Sequence, residues 1–169
     1  MKKIVLIAAV LALSVFIAST SGASTVTGSF QVSANVVSTC QVQSPMMMNF
    51  GSVTGLQSAT TSGTISVNCV QGTNYNVALD AGLNYGSGPL RKISGGTYST
   101  GYYLYKPDGL TEWGDATPYA NTYPAGTAYG PIIGDGTFQT YSVHATLPAF
   151  TGIPSGTFLQ DTVTVTVYY

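Results

Sequence analysis

Asp161–Tyr169 reads DTVTVTVYY. Val163, Val165, Val167 and Tyr169 fall on one face, and Thr162, Thr164, Thr166 and Tyr168 on the other. Period-two alternation of β-branched and aromatic residues predicts a strand. A strand has two edges, and each needs a partner, a cover or a solvent-facing defence. This one carries no Lys, Pro or Gly to blunt an edge. Its reading turns on what lies beside it.

Working outward, the sequence continues in the same idiom. Short alternating runs are predicted as strands at Val26–Val36, Cys40–Gln43, Ile65–Cys69, Tyr75–Leu79, Tyr98–Lys106, Phe138–Leu147 and Asp161–Tyr168. Turn signals separate them: GSVTG, VQGTN, NYGSGP, KPDG, GDG and GIPSG. No stretch has helical periodicity with caps, and no internal repeat or long linker interrupts the pattern. The fold class expected is therefore all-β, a sandwich or barrel.

The other end of the chain sets the compartment. MKK is followed by an apolar run of 15 residues, Ile4–Ala18, and then by the small residues STSGA. That order is a secretory signal peptide, residues 1–23, with Ser21 and Ala23 before the cleavage point. The apolar run falls short of the roughly 20 residues that span a bilayer. The mature chain, Ser24–Tyr169, keeps three basic residues (Arg91, Lys92, Lys106) and six acidic ones. No basic patch is available for phosphates, which excludes a nucleic-acid partner. Only 7% of residues are charged. A free small globule is usually kept soluble by many more charges, so this surface suits a protein packed against copies of itself. Cys40 and Cys69 form an even pair in an oxidising compartment and predict a disulfide.

The N-terminal end of the mature chain is too long for its own domain. Val26, Gly28, Phe30, Val32, Ala34 and Val36 alternate with Thr27, Ser29, Gln31, Ser33 and Asn35, and Cys40 and Val42 resume the pattern. About 18 extended residues at roughly 3.3 Å each would reach about 60 Å. A compact domain of this size is about 40 Å across. Either the segment bends near Val37–Thr39, or its first half projects. An apolar-striped arm and a final strand with a vacant edge are complementary between molecules, which is β-augmentation. Such a contact is head-to-tail and need not close. The alternative is a self-complete sandwich in which Val26–Val36 pairs with its own last strand.

The ordered set of motifs resembles the spore coat protein U domain family, the fold of archaic chaperone–usher pilus subunits. TGSFQVSANVVSTC leads into Cys40; NFGSV, GTISVNC, YNVALDAG, RKI, YYLYKPDG and WGD follow in order, and GIPSGTFLQDTVTVTVYY closes the chain. The chain departs from the family at VHATLP, where His144 and Ala145 replace a small glycine after an aromatic, and in the run MMM at 46–48. The resemblance implies an immunoglobulin-like sandwich one strand short, completed by donor-strand complementation. It implies three partners: a periplasmic chaperone that lends a strand, an outer-membrane usher, and identical or homologous subunits. By that reading residues 24–36 are the donor segment, with Val26, Gly28, Phe30, Val32 and Ala34 as its inward face. Residues 37–169 are the pilin domain, with Val163, Val165, Val167 and Tyr169 on the last strand beside the acceptor groove. The product would be a surface fibre exported through the periplasm. A spore or resting-cell coat built from the same domain, or a secreted self-complete binding module, are the alternatives.

Catalysis finds little material, and no enzyme, metal or cofactor is expected. His144 is the only histidine and sits in an alternating strand, where a structural imidazole is the plainer reading. No G-x-S-x-G is present, and no pair of the six carboxylates stands out for acid–base work. PDGLTEWGD, Pro107–Asp115, lacks EF-hand spacing and reads as an Asp/Gly turn. The Gly-rich GSG and SGG have no following Lys-Ser/Thr to hold phosphate. Tyrosines clustered at 98–105 and 117–129 could form an aromatic patch for glycans or abiotic surfaces. The plainer reading is that they stabilise sheet faces or bury between subunits.

Overall fold

The computed structural model describes residues 25–43, 47–85, 90–116 and 127–169. The expected signal peptide, the first residue of the mature chain, and part of the second tyrosine cluster lie outside the described residues. The chain divides into two units, Met1–Asn35 and Val36–Tyr169. In the first, the described residues form neither strand nor helix, and all are exposed. The expected strand Val26–Val36 is thus not formed. Its pattern is that of a strand, but a lone strand has no ladder to satisfy its backbone, so pattern alone does not fold it.

Among its described residues the second unit holds nine strands: β1 Cys40–Gln43, β2 Ala59–Cys69, β3 Asn74–Leu79, β4 Arg91–Gly95, β5 Tyr98–Tyr105, β6 Trp113–Ala116, β7 Tyr129–Ile133, β8 Phe138–Leu147 and β9 Val165–Tyr168. Two antiparallel sheets enclose the core. One has five strands in the order β1-β2-β8-β5-β4, the other three in the order β7-β3-β9. This is an all-β, immunoglobulin-like sandwich. β6 lies outside both ladders and bridges to Thr127 in parallel.

Alternation dictates what each sheet buries. Along β8, Val143, Ala145 and Leu147 are buried while Ser142, His144 and Thr146 face outward. β2 answers in register, Ile65 opposite Tyr141 and Val67 opposite Gln139. From the facing sheet come Tyr75, Val77 and Leu79, and Trp113 completes the core with no exposed surface. Phe138 falls on the outward parity of β8 and is half exposed. The disulfide Cys40–Cys69 forms as expected and joins a directly opposed pair of β1 and β2.

Several polar groups in the core are satisfied by their position. The Trp113 indole donates to the Val77 carbonyl at 2.9 Å. Arg91 is 1% exposed. Its Nε donates to Asp80 O, and its Nη2 to Leu79 O and Trp113 O, all at 2.8–2.9 Å. A guanidinium carries five donors in a fixed fork, so it can tie carbonyls of separate elements together from inside. The Tyr75 hydroxyl donates to Gln139 Oε1 at 2.7 Å and meets the Tyr141 hydroxyl at 2.6 Å. Burial pushes both phenols above their ordinary value, so both stay protonated donors.

Candidate functional site: the outer edge of the last strand

Among the described strands, four stand at sheet edges, and they differ in how they are defended. On β4, Ser94 exchanges both backbone hydrogen bonds with Gln160, at 3.1 and 2.9 Å, so its edge is partly occupied. β7 carries Pro131, which has no N–H to offer a partner. β1 is only four residues long. β9 reads VTVY, with no proline or charged residue on it, and among the described strands its ladder runs to β3. Its ladder partners all belong to β3, from Asn76–Tyr168 to Leu79–Val165.

The side chains of this edge are incompletely covered. Val163, Val165 and Val167 are half-buried and pack against the core, while Thr162, Thr164 and Thr166 are exposed. At the edge of the other sheet, on β1, Val42 lies opposite the fully buried Val67, shares its inward face and is 40% exposed. Tyr169 lies beyond β9 and is 62% exposed. With Asn74, Asn76, Val167 and Tyr168 it lines a depression at the C-terminal end of the strand.

A carboxylate lattice fixes the opposite end. Asp161 Oδ2 accepts from the Tyr102 hydroxyl at 2.6 Å, and Oδ1 accepts from Asn84 N and Nδ2 at 3.1 and 3.0 Å. Asp80 Oδ1 accepts from Gly82 N at 2.9 Å and Thr164 N at 2.8 Å. Backbone bonds from Asp80 N to Thr164 O and from Leu83 N to Thr162 O continue the pairing past the ladder's end. Burial, then the bond to Asp161, pushes the Tyr102 phenol far above its usual value. Gly82 is required here: its φ is +81°, and a Cβ would collide with the Asp161 carboxylate. β9 is therefore pinned where it begins.

The donor residues expected from the sequence are all exposed: Val26 at 97%, Phe30 at 88% and Val32 at 81%, with Gly28 and Ala34 between and beside them. Nothing lies within 4 Å of a Cβ built on Gly28.

Residues 26–166 match the Spore Coat Protein U domain. The chain belongs to that family. Among solved structures, this Spore Coat Protein U chain is similar to a chain of the CsuC–CsuE chaperone–tip adhesion subunit pre-assembly complex, from the archaic chaperone–usher Csu pili of Acinetobacter baumannii. The two share 25% identity with a TM-score of 0.55, over 79% of this chain and 40% of that one. This chain thus spans about two fifths of the length of that relative. No curated protein sequence matches it.

The sequence reading locates the valines of β9 and the cysteine pair. It misses the lattice of Asp80, Asn84, Tyr102 and Asp161. Asp161 opening the Thr/Val run is the available signal; its partners lie up to 77 residues away. Among the described residues no three metal-ligating side chains cluster, and no helix is long and apolar enough to cross a membrane. The Asp/Gly turn at 107–111 is self-contained, with Asp108 accepting from Leu110 N and Thr111 N.

Proposed function

We propose that this protein is a structural subunit of an archaic chaperone–usher pilus. It polymerises when residues 24–36 of one copy enter beside β9 of the next. The observation that carries the reading is the pairing of an unblunted edge strand, with half-covered valines, and an arm whose apolar stripe is 81–97% exposed. Family membership and the likeness to a chaperone–subunit complex support it. By the same reading a periplasmic chaperone holds the edge first, an usher exchanges it, and the assembled fibre stands on the cell surface. Residues 1–23 are removed on export.

Burial favours the exchange. Val26, Phe30 and Val32 together contribute about 5–9 kcal/mol as an upper bound. Each ladder hydrogen bond adds about 0.5–1.5 kcal/mol. These sums are comparable with the roughly 5–15 kcal/mol that holds a whole domain together. A joint of that kind dissociates slowly.

The test compares the mature protein with versions whose arm is removed or spoiled. Purified mature protein should form polymers by light scattering and electron microscopy. Deletion of residues 24–34, or Phe30→Asp with Val32→Asp, should leave a chain that binds the chaperone but does not polymerise. Polymers from the protein lacking residues 24–34 would sink the proposal. Immunogold labelling of producing cells separates a fibre from a resting-cell coat, the reading that the family's description suggests.

A further inference from the structure

The outer face of the five-stranded sheet carries a shallow depression far in sequence from β9. Two rows cross it. Ser62, His144 and Tyr105 lie opposite one another, and beside them Thr60, Thr146 and Tyr103 do the same. The Tyr103 and Tyr105 rings stack with centroids 5.9 Å apart and planes 18° from parallel. The turn after β5 comes down beside them: a Cβ on Gly109 would sit 3.8 Å from His144 Cδ2. Thr60, Ser62, Gly109, His144, Thr146 and Tyr105 are among its lining residues.

The chemistry of this lining is selective. Among the described residues that line it, none is Lys, Arg, Asp or Glu. The Asp108 carboxylate in the adjoining turn is occupied by Thr111 and Leu110. The lining itself offers a charged ligand no counter-charge; the charge that acts on Tyr105 is Glu112, bridged to it from outside the lining. An apolar partner would cover the three hydroxyls and the imidazole without giving them hydrogen bonds. What fits is a molecule with an apolar flat face and a rim of neutral hydroxyls. Aromatic faces supply the first contact, and hydroxyls and the imidazole, which both donate and accept, supply the second. Adjacent strands place such groups about 4.8 Å apart, comparable with the width of a pyranose ring.

The geometry points to a binding site for a neutral carbohydrate on this face, with Tyr103 and Tyr105 as the stacking platform and Thr60, Ser62, His144 and Thr146 as the hydrogen-bonding floor. The site is independent of strand exchange at β9, so the polymer can be right where this is wrong, and the reverse.

Saturation-transfer NMR on the native assembled protein tests it, with lactose, cellotriose and chitobiose as probes. At least one of these should bind with a Kd of about 1–10 mM. Tyr105→Ala should weaken it about tenfold, while Tyr105→Phe keeps the ring and most of the affinity. Thr60→Val with Thr146→Val should weaken it several-fold while preserving shape, and it carries the test if Tyr105→Ala does not assemble. Raising NaCl from about 0.05 to about 0.5 M should change nothing. The inference is overturned if none of the three sugars binds, or if the threonine pair and Tyr105→Ala both bind as the parent does. A binding constant that falls steeply with salt, or proof that this face is covered by another copy in the assembly, overturns it equally.

Discussion

At the scale of single residues, Asp161 ties more of the molecule together than its place in a loop suggests. One carboxylate receives a buried phenol from β5 and two donors from Asn84. Removing it strands the Tyr102 phenol and Asn84 N, while Asn84 Nδ2 keeps its bond to Gln160 O at 2.7 Å, and an unsatisfied buried donor costs more than the bond was worth. Asp161→Ala is expected to destabilise by about 2–4 kcal/mol, and Tyr102→Phe, which leaves the Asn84 bonds in place, by about 1–2 kcal/mol. Urea denaturation of the two variants against the parent measures both. Asp108 offers a pH test of a different kind. The Thr111 side chain, then the Thr111 and Leu110 amides, hold its carboxyl at about 2 against an ordinary 3.8. A folded value below the unfolded one means the carboxylate's contribution is complete above 3.8 and vanishes as pH falls through about 2. The Thr111 amide and the Asp108 carboxyl carbon should therefore titrate together by NMR in that window, with the sheets unaffected because the residue is fully exposed. Asp108→Ala should abolish the transition.

At the scale of elements, edges explain both what is legible in the sequence and what is not. β8, Phe138–Leu147, is predicted end to end, because ten residues of alternation leave no other reading. Only the second half of β2 is visible: Ala59–Thr64 reads ATTSGT, and its inward positions Thr61 and Gly63 carry no apolar signal. β4, β6 and β7 are missed. β4 opens on the buried Arg91, a charged residue that only the carbonyls of other elements make tolerable. β6 and β7 are short and hold Gly, Asp and Pro. The last strand is predicted from Asp161, but its ladder begins at Val165, since the residues before it pair through the Asp80 carboxylate and loop backbone rather than in register. Contacts between residues roughly 60–80 positions apart leave no local trace, which is why the lattice beneath the site escapes while its valines do not. The β1–β2 joint makes its own prediction. The disulfide joins cysteines 29 residues apart, worth about 3–4 kcal/mol through the unfolded chain. β1 is an edge strand of four residues with little else to retain it. Cys40→Ala with Cys69→Ala should lower stability by about that amount. Hydrogen exchange should show the loss of protection first in Gln41 and Val42, with β5 and β8 retained.

At the scale of the whole molecule, the scarcity of charge becomes an expectation about assembly. Charged residues make up 7% of the chain, and three basic residues remain after Ser24. The joint proposed at β9 uses valines, a phenylalanine and backbone hydrogen bonds, none of which is screened by salt. An assembly held by opposite patches would weaken steeply between low and high ionic strength. One held by apolar burial is indifferent to sodium chloride and is strengthened by salts excluded from protein surfaces, such as sulfate. Polymerisation followed by light scattering should therefore keep its rate and extent within about twofold from roughly 0.05 to 1 M NaCl, and should rise in ammonium sulfate. Val165→Thr keeps the strand propensity and nearly the volume of β9 but places a hydroxyl on its inward face. It should slow polymerisation under every one of these conditions, without shifting the salt response. A polymer that dissolves on adding sodium chloride would mean that charges outside β9 and residues 24–36 hold it together.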